Sequence, residues 1–202
     1  MSKFHPPFEP NKVYHVFNHA VGNENLFREP DNYRFFLEKF KKHIVPICKI
    51  YAFALLPNHF HFALKIKSKE EILEKSKKNM VTENDYCEFI SQQFSNLFNA
   101  YAKAYNKKYE RRGALFIDYV KRKPIEDKEY FMNLIKYIHY NPVHHGFCNL
   151  LHNWFYTSYH AFLSDKATII ERETILSLFN GKDDFMKFHD SEQLRFDNDI
   201  EF

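Results

Sequence analysis

Long apolar stretches are missing from this sequence. No run reaches the ~18 residues at which a helix begins to span a bilayer. The opening Met1-Ser-Lys-Phe-His-Pro-Pro has no apolar core of the kind a secretory signal carries. Cysteine is scarce as well: Cys48, Cys87 and Cys148 are odd in number, widely spaced and free of any CxxC pair. They read as reduced structural thiols of a cytoplasmic protein rather than a disulfide framework. Internal repeats and low-complexity tracts are absent too. A soluble, intracellular globular protein is expected.

What is present suits that class. With 202 residues, 45% of them hydrophobic, the chain should form one domain with an appendage and bury roughly 70% of its unfolded surface. The net charge of +3 is modest but unevenly spread. From Tyr101 to Lys123 eight cations (Lys103, Lys107, Lys108, Arg111, Arg112, Lys121, Arg122, Lys123) face only Glu110 and Asp118, a local charge of +6. From Gly181 to Phe202 three basic residues face seven acidic ones, a local charge of −4. The middle of the chain therefore points to a polyanion partner, and the end to an exposed, separate tail that is dispensable for chemistry.

The pattern of apolar residues and breakers gives the order of elements. Val13–Asn18 reads as a strand. Asp31 can cap a helix with apolar positions Tyr33, Phe36, Leu37, Phe40 and Ile44, ended by Pro46. Ile50–Leu56 and His59–Lys67 are strands about a Pro57-Asn58 turn. Ser68–Met80 is a loop or short exposed helix, and a long amphipathic helix follows with Tyr86, Ile90, Phe94, Leu97, Phe98, Tyr101 and Tyr105 on one side. Gly113 opens a strand over Ala114–Arg122. Asp127 caps a last helix that ends near Tyr140, because Asn141 precedes Pro142. This βαββαβα order predicts an α+β fold, a ferredoxin-like antiparallel sheet with helices on one face. Further helix follows Trp154. The expected division is a catalytic domain over 1–150 and a C-terminal helical extension with an acidic tail over 151–202.

Two segments carry candidate chemistry. His59–Lys67 alternates without a break, so Phe60, Phe62, Leu64 and Ile66 share the core face. His59, His61, Ala63, Lys65 and Lys67 share the other, expected to be open. Two imidazoles two residues apart can converge on one metal ion, and Lys65 and Lys67 beyond them can meet a phosphate backbone. His15, His43, His144, His145 and His160 form no comparable pair. In the last helix Phe131, Leu134, Ile135 and Ile138 make a buried stripe. Tyr130, Asn133, Tyr137 and Asn141 lie beside it at spacings of three, four and four. A hydroxyl nucleophile at Tyr137 and an amide ligand at Asn141 would thus sit one turn apart. Tyr140, on a different side, is the rival.

Taken together, Tyr14-His-Val-Phe-Asn18, Leu26-Phe27, Leu56-Pro-Asn-His-Phe-His61, Tyr105-Asn-Lys-Lys-Tyr-Glu-Arg-Arg-Gly-Ala-Leu-Phe116 and Tyr137-Ile-His-Tyr-Asn-Pro-Val143 with Gly146 resemble the HUH single-tyrosine transposases. The resemblance is closest to the REP-associated tyrosine transposases and covers roughly Lys12 to Phe147. It implies that His59 and His61 are the metal-binding pair, Asn141 the third ligand and Tyr137 the nucleophile. It also implies Mg²⁺ or Mn²⁺ as the ion. The reaction implied is attack of tyrosine on a phosphodiester of single-stranded DNA beside a hairpin, leaving a 5′-phosphotyrosine and a free 3′-hydroxyl. DNA-binding candidates are Lys65, Lys67, Lys107, Lys108, Arg111, Arg112, Lys121, Arg122 and Lys123. Monomer and homodimer are both open, and a cytoplasmic, nucleoid-associated location is expected. The chain departs from the family where Asn18-His19-Ala20 replaces Asn-Arg-Gly and where His144-His145 replaces Arg-Ala. Three other readings stand beside this one: a domesticated hairpin-binding protein, a non-catalytic nucleic-acid-binding module, and a metal-dependent nuclease that uses water in place of Tyr137.

Overall fold

The computed structural model describes residues 6–76, 82–117 and 120–191. Four strands, β1 (Val13–His19), β2 (Cys48–Leu55), β3 (His59–Ile66) and β4 (Lys121–Ile125), form one antiparallel sheet in the order β2-β3-β1-β4. With α1 (Pro30–His43), α2 (Lys69–Ser76), α3 (Glu83–Lys108) and α4 (Lys128–His144), this is the expected ferredoxin-like arrangement. Among the described residues no helix is long and apolar enough to cross a membrane.

One face of the sheet is the main core. Phe60 and Phe62 of β3 pack on Phe36 and Phe40 of α1, the Phe40 and Phe62 rings stacked at 4.2 Å. α3 lies beside α1, and its Tyr101 donates its hydroxyl proton to the Leu26 carbonyl at 2.5 Å. α3 opens on a capping box between Thr82 and Asp85. α1 begins at Pro30, one residue before the expected Asp31 cap, because Glu29 holds the N-cap and Pro supplies the first-turn φ.

Three further features differ from expectation. The last strand is β4, Lys121–Ile125, rather than Ala114–Arg122; Leu115 and Phe116 are buried in the connecting loop, with Phe116 bridging Ala20. β4 is an edge strand, which is where a sheet tolerates a proline such as Pro124. Residues 118 and 119 of the expected strand, and 77–80 of the charged stretch before α3, lie outside the described residues. α4 is capped at Asp127, whose Oδ1 accepts the Tyr130 N–H at 2.6 Å. It runs through Pro142 to His144, one turn past the expected end, with His145 N–H donating to the Asn141 carbonyl. Gly146, at φ 71°, then turns the chain away.

The third difference sets up the site. α1 and α3 share one face, but α4 lies across the other, over β2 and β3. The face that carries the histidines is thus covered, not open. Beneath α4 the sheet presents Ala52, Ala54 and Ala63, all fully buried.

The segment after α4 wraps around it. Trp154 Nε1 donates to the Leu55 carbonyl, and Thr157 bridges Ala54 at the β2 edge. α5 (Tyr159–Leu163), α6 (Arg172–Leu178) and α7 (Lys182–Asp190) follow. The charge pattern from Gly181 suggested a separate tail, yet α7 is docked: Phe185 and His189 are fully buried. His189 Nδ1 lies 2.9 Å from the Phe185 carbonyl, His139 Nδ1 2.9 Å from His189 Nε2, and His139 Nε2 2.8 Å from Ser158 Oγ. One proton per ring satisfies that chain, so both imidazoles are held neutral. The buried Lys136 ammonium donates to the Phe188 and Ser191 carbonyls. Acidic residues sit instead on the exposed side of α7, and the remainder, 192–202, lies outside the described residues. Replacing Phe185 by Ala should therefore cost about 3–5 kcal/mol, read from the midpoint of guanidinium unfolding; a change below about 1 kcal/mol would show that α7 contributes little to the fold.

Candidate active site

Antiparallel pairing brings the two central strands' side chains into register. Asn18 faces Phe60 on the core side, while Phe17 lies opposite His61 and His19 opposite His59 on the α4 side. His15, opposite Ala63, shares that side. The face therefore holds His15, His19, His59 and His61, with α4 above them and His145 arriving from its C-terminal end.

The contacts are close. His59 Nε2 is 2.8 Å from Asn141 Oδ1, and His61 Nδ1 is 2.9 Å from His15 Nε2. The Tyr137 ring meets His61 edge-on at 5.5 Å and His15 at 6.4 Å. His19 stacks on His59 at 5.5 Å, and His145 meets it at 4.8 Å. His59, His61, Tyr137 and Asn141 are buried, whereas His145 is exposed and His19 half-buried. The site thus opens at the end where α4 stops. Its four expected members come from β3 and α4, far apart in sequence and brought together by the fold. Tyr140 is not among them: it is half-buried beneath the Lys136 ammonium at 5.8 Å.

Burial keeps these imidazoles uncharged. It pushes His15 down to about 3, helped by Lys123. It pushes His59 down to about 4, against the raising effect of its Asn141 contact. His61 is held well below the ordinary range by burial and by the surrounding imidazoles. Neighbouring imidazoles lower His59 and His61 further.

Among the described residues no three His, Cys, Asp or Glu side chains are arranged to hold a metal ion, and an amide oxygen can serve as a third protein ligand. Asn141 supplies one of suitable geometry. Ligands at adjacent corners of an octahedral ion with bonds of about 2.1 Å lie about 3 Å apart, close to the 2.8 Å between His59 Nε2 and Asn141 Oδ1. His59 Nδ1 is 2.8 Å from Asn58 Oδ1. A neutral ring donates its one proton there and turns a lone pair toward the Asn141 oxygen. A cation between two acceptors relieves that contact; without one, the amide can turn over and donate Nδ2–H to the same nitrogen. The donor set fits a hard or borderline divalent ion.

The expected DNA-binding cations are not one surface. Lys121 and Lys123 stand on the histidine face of β4, opposite Phe17 and His15, about 10 Å of strand spacing from β3. Lys65 shares the face but lies toward the far end of β3, opposite Val13. Lys67 donates to the Val45 and Pro46 carbonyls beyond the end of α1. Arg122 is on the other face, bonded to the Pro6 carbonyl and set over the Phe8 ring. Lys108 pairs with Glu29 and Arg111 with Glu24, fastening the loop after α3 to the loop before α1. Lys107 and Arg112 are exposed near the end of α3. Of these cations only Lys121 and Lys123 flank the buried cluster. His15 and His145, which the sequence set aside for want of a pairing, and His19, noted there only as a departure from the family, join the cluster. The parity of β1 places His15 and His19 on one side, but which strand they face depends on pairing that no local signal carries.

Neither family models nor curated proteins match the sequence. Among solved structures the fold is similar to that of a REP-associated tyrosine transposase bound to a REP hairpin, with a TM-score of 0.62, 13% identity, and coverage of 84% of this chain and 90% of that one. The two proteins share a fold across most of their length.

Two outcomes follow from this geometry. In the unfolded chain each imidazole takes a proton as pH falls through about 6.5, whereas folded His15, His59 and His189 resist until about 3 to 4. Stability is therefore complete above pH 6.5 and lost on acidification toward 4, each ring contributing up to about 1.4 kcal/mol per pH unit. Denaturant midpoints at pH 7.5, 6 and 5 in metal-free buffer should fall steeply, and a flat series would contradict the buried neutral rings. Separately, the expectation that cations of the Tyr101 to Lys123 segment neutralise a phosphate backbone is checked by replacing Lys121 and Lys123 with Ala: the salt dependence of log K for a single-stranded DNA probe should flatten by about 1.4, roughly 0.7 for each phosphate no longer neutralised, and less for the same changes at Lys107 and Arg112.

Proposed function

We propose that the protein is a single-strand DNA endonuclease and strand transferase of the REP-associated tyrosine transposase kind, with Tyr137 as its nucleophile. The observation that carries this reading is the meeting of Tyr137 and Asn141, one turn apart on α4, with His59 and His61 on β3. The fold shared with a hairpin-bound transposase supports it and suggests DNA single strands beside a hairpin as the substrate.

In the proposed reaction Tyr137 Oη attacks the phosphorus of a phosphodiester. The bond from phosphorus to the 3′ oxygen breaks, the phenolic proton leaves, and the departing 3′ oxygen takes up a proton. The products are a 5′-phosphotyrosine and a free 3′-hydroxyl, and attack by another 3′-hydroxyl reverses the step and joins strands. A phenol with a pKa near ~10 is a weak nucleophile at neutral pH. Mg²⁺ or Mn²⁺, held by His59, His61 and Asn141, would polarise the scissile phosphate. The chain's own part is positional. α4 fixes the Tyr137 ring against His61, the covered sheet face excludes water from it, and Lys121 and Lys123 neutralise the backbone on the β4 flank.

Incubation with a library of single-stranded hairpin oligonucleotides should give a covalent protein–DNA adduct. The adduct should be absent in Tyr137→Phe, reduced at least a hundredfold in His59→Ala and His61→Ala, and absent in excess EDTA. Adducts that persist in Tyr137→Phe and vanish in Tyr140→Phe would move the nucleophile. Cleavage without any adduct would point instead to a nuclease that uses water.

A further inference from the structure

The two ring nitrogens of His61 are not equivalent. Nδ1 lies 2.9 Å from His15 Nε2, with both rings buried. A single proton occupies the space between two such nitrogens. If His61 Nδ1 carries it, His61 Nε2 is a lone pair and can bind a cation. If His15 Nε2 carries it, His61 Nδ1 accepts, its Nε2 bears the remaining proton, and no ion can be bound there.

We propose that His15 is a positioning residue that fixes His61 in the tautomer with the proton on Nδ1, leaving Nε2 to ligate the ion. The inference rests on the reading of His59, His61 and Asn141 as a divalent-cation site. Its geometry comes from the sheet register. His15 lies directly opposite Ala63, whose small side chain leaves room for the imidazole to lean diagonally onto His61, two residues along β3. The ring is held there by Phe17 at 4.7 Å on one side and the edge of Tyr137 at 6.4 Å. Metal-ligating histidines ordinarily have the second nitrogen bonded to such a partner, and removing it weakens metal binding 10–100-fold. An imidazole is an uncommon choice for the role, because it accepts through one nitrogen and adds no negative charge to the site.

The test uses the full chain and Mn²⁺ alone as the probe, with calorimetric titration at pH 7.5 and ¹⁵N imidazole spectra of the metal-free protein. Wild type should show His61 protonated at Nδ1. His15→Phe keeps the bulk and removes the acceptor; it should bind Mn²⁺ about 10–100-fold more weakly and shift the His61 spectrum toward the other tautomer. His15→Gln, whose Oε1 accepts the same proton, should recover most of the affinity. Equal affinity in wild type and His15→Phe overturns the role of His15 and leaves the metal site standing. A wild type that does not bind Mn²⁺, or that binds it equally after His59→Ala, overturns both. Should His15→Phe fail to fold, the wild-type spectrum decides: His61 protonated at Nε2 refutes the inference.

Discussion

Ala52, Ala54 and Ala63 form the floor on which α4 rests, and the closeness of that approach governs what the histidine face can do. Larger residues at those positions would lift the helix off the sheet by the thickness of a side chain, a few ångströms. At that separation Asn141 Oδ1 could not come within 2.8 Å of His59 Nε2, nor the Tyr137 ring lie against His61. Tyr51 sits at the irregularity in β2 where the pairing with β3 slips, and takes the Phe131 ring edge-on at 5.3 Å. Contacts at both ends of the helix therefore fix its height and rotation, and with them the relation between two chain segments that carry the candidate chemistry.

That placement is secured from behind by the C-terminal helices. α7 meets α4 through polar groups with little freedom: the neutral chain from His189 through His139 to Ser158, and the Lys136 ammonium on the last carbonyls of α7. Lys136 and His139 lie on either side of Tyr137 in sequence, and Ser158 carries the His139 contact on to the Phe53 backbone of β2, so the same turns of α4 are held by α7 as well as by the sheet. Buried polar contacts of this sort add specificity of orientation more than raw stability. They favour one seating of the helix over neighbouring ones.

Much of this was legible in the sequence, and what was not has physical reasons. The alternation from His59 to Lys67 correctly assigned Phe60 and Phe62 to one face and the two histidines to the other, because side-chain parity is a local property of a strand. Whether the second face is open or covered is not local, and the helix that covers it shows the same amphipathic spacing either way. Tyr137 and Asn141 could be placed one turn apart from spacing alone. Their proximity to His59 depended on a crossing between α4 and the sheet that no motif encodes. Pro142 pointed to an early helix end through its effect on Asn141, but the packing of α4 on the sheet carries the helix past it, and the His145 N–H still bonds the Asn141 carbonyl. The basic segment looked continuous in sequence because charge was counted along the chain. In space Lys108 and Arg111 are spent on Glu29 and Glu24, and Arg122 turns to the opposite face.

The neutrality of the three proposed ligands, His59, His61 and Asn141, has a thermodynamic consequence. Two imidazoles and an amide are electrically neutral, so a divalent ion held by them keeps its whole double charge inside a poorly solvated cleft. Its intrinsic binding would be weak, since these ligands do not offset that charge. A phosphodiester entering the same cleft would bring the missing negative oxygens. Ion and nucleic acid then become heterotropic partners: each raises the affinity for the other by the same factor, as linkage requires. Such a centre would bind its ion more weakly in the free protein than in the complex with a strand, and its electrophile would gain most where there is a strand to cut.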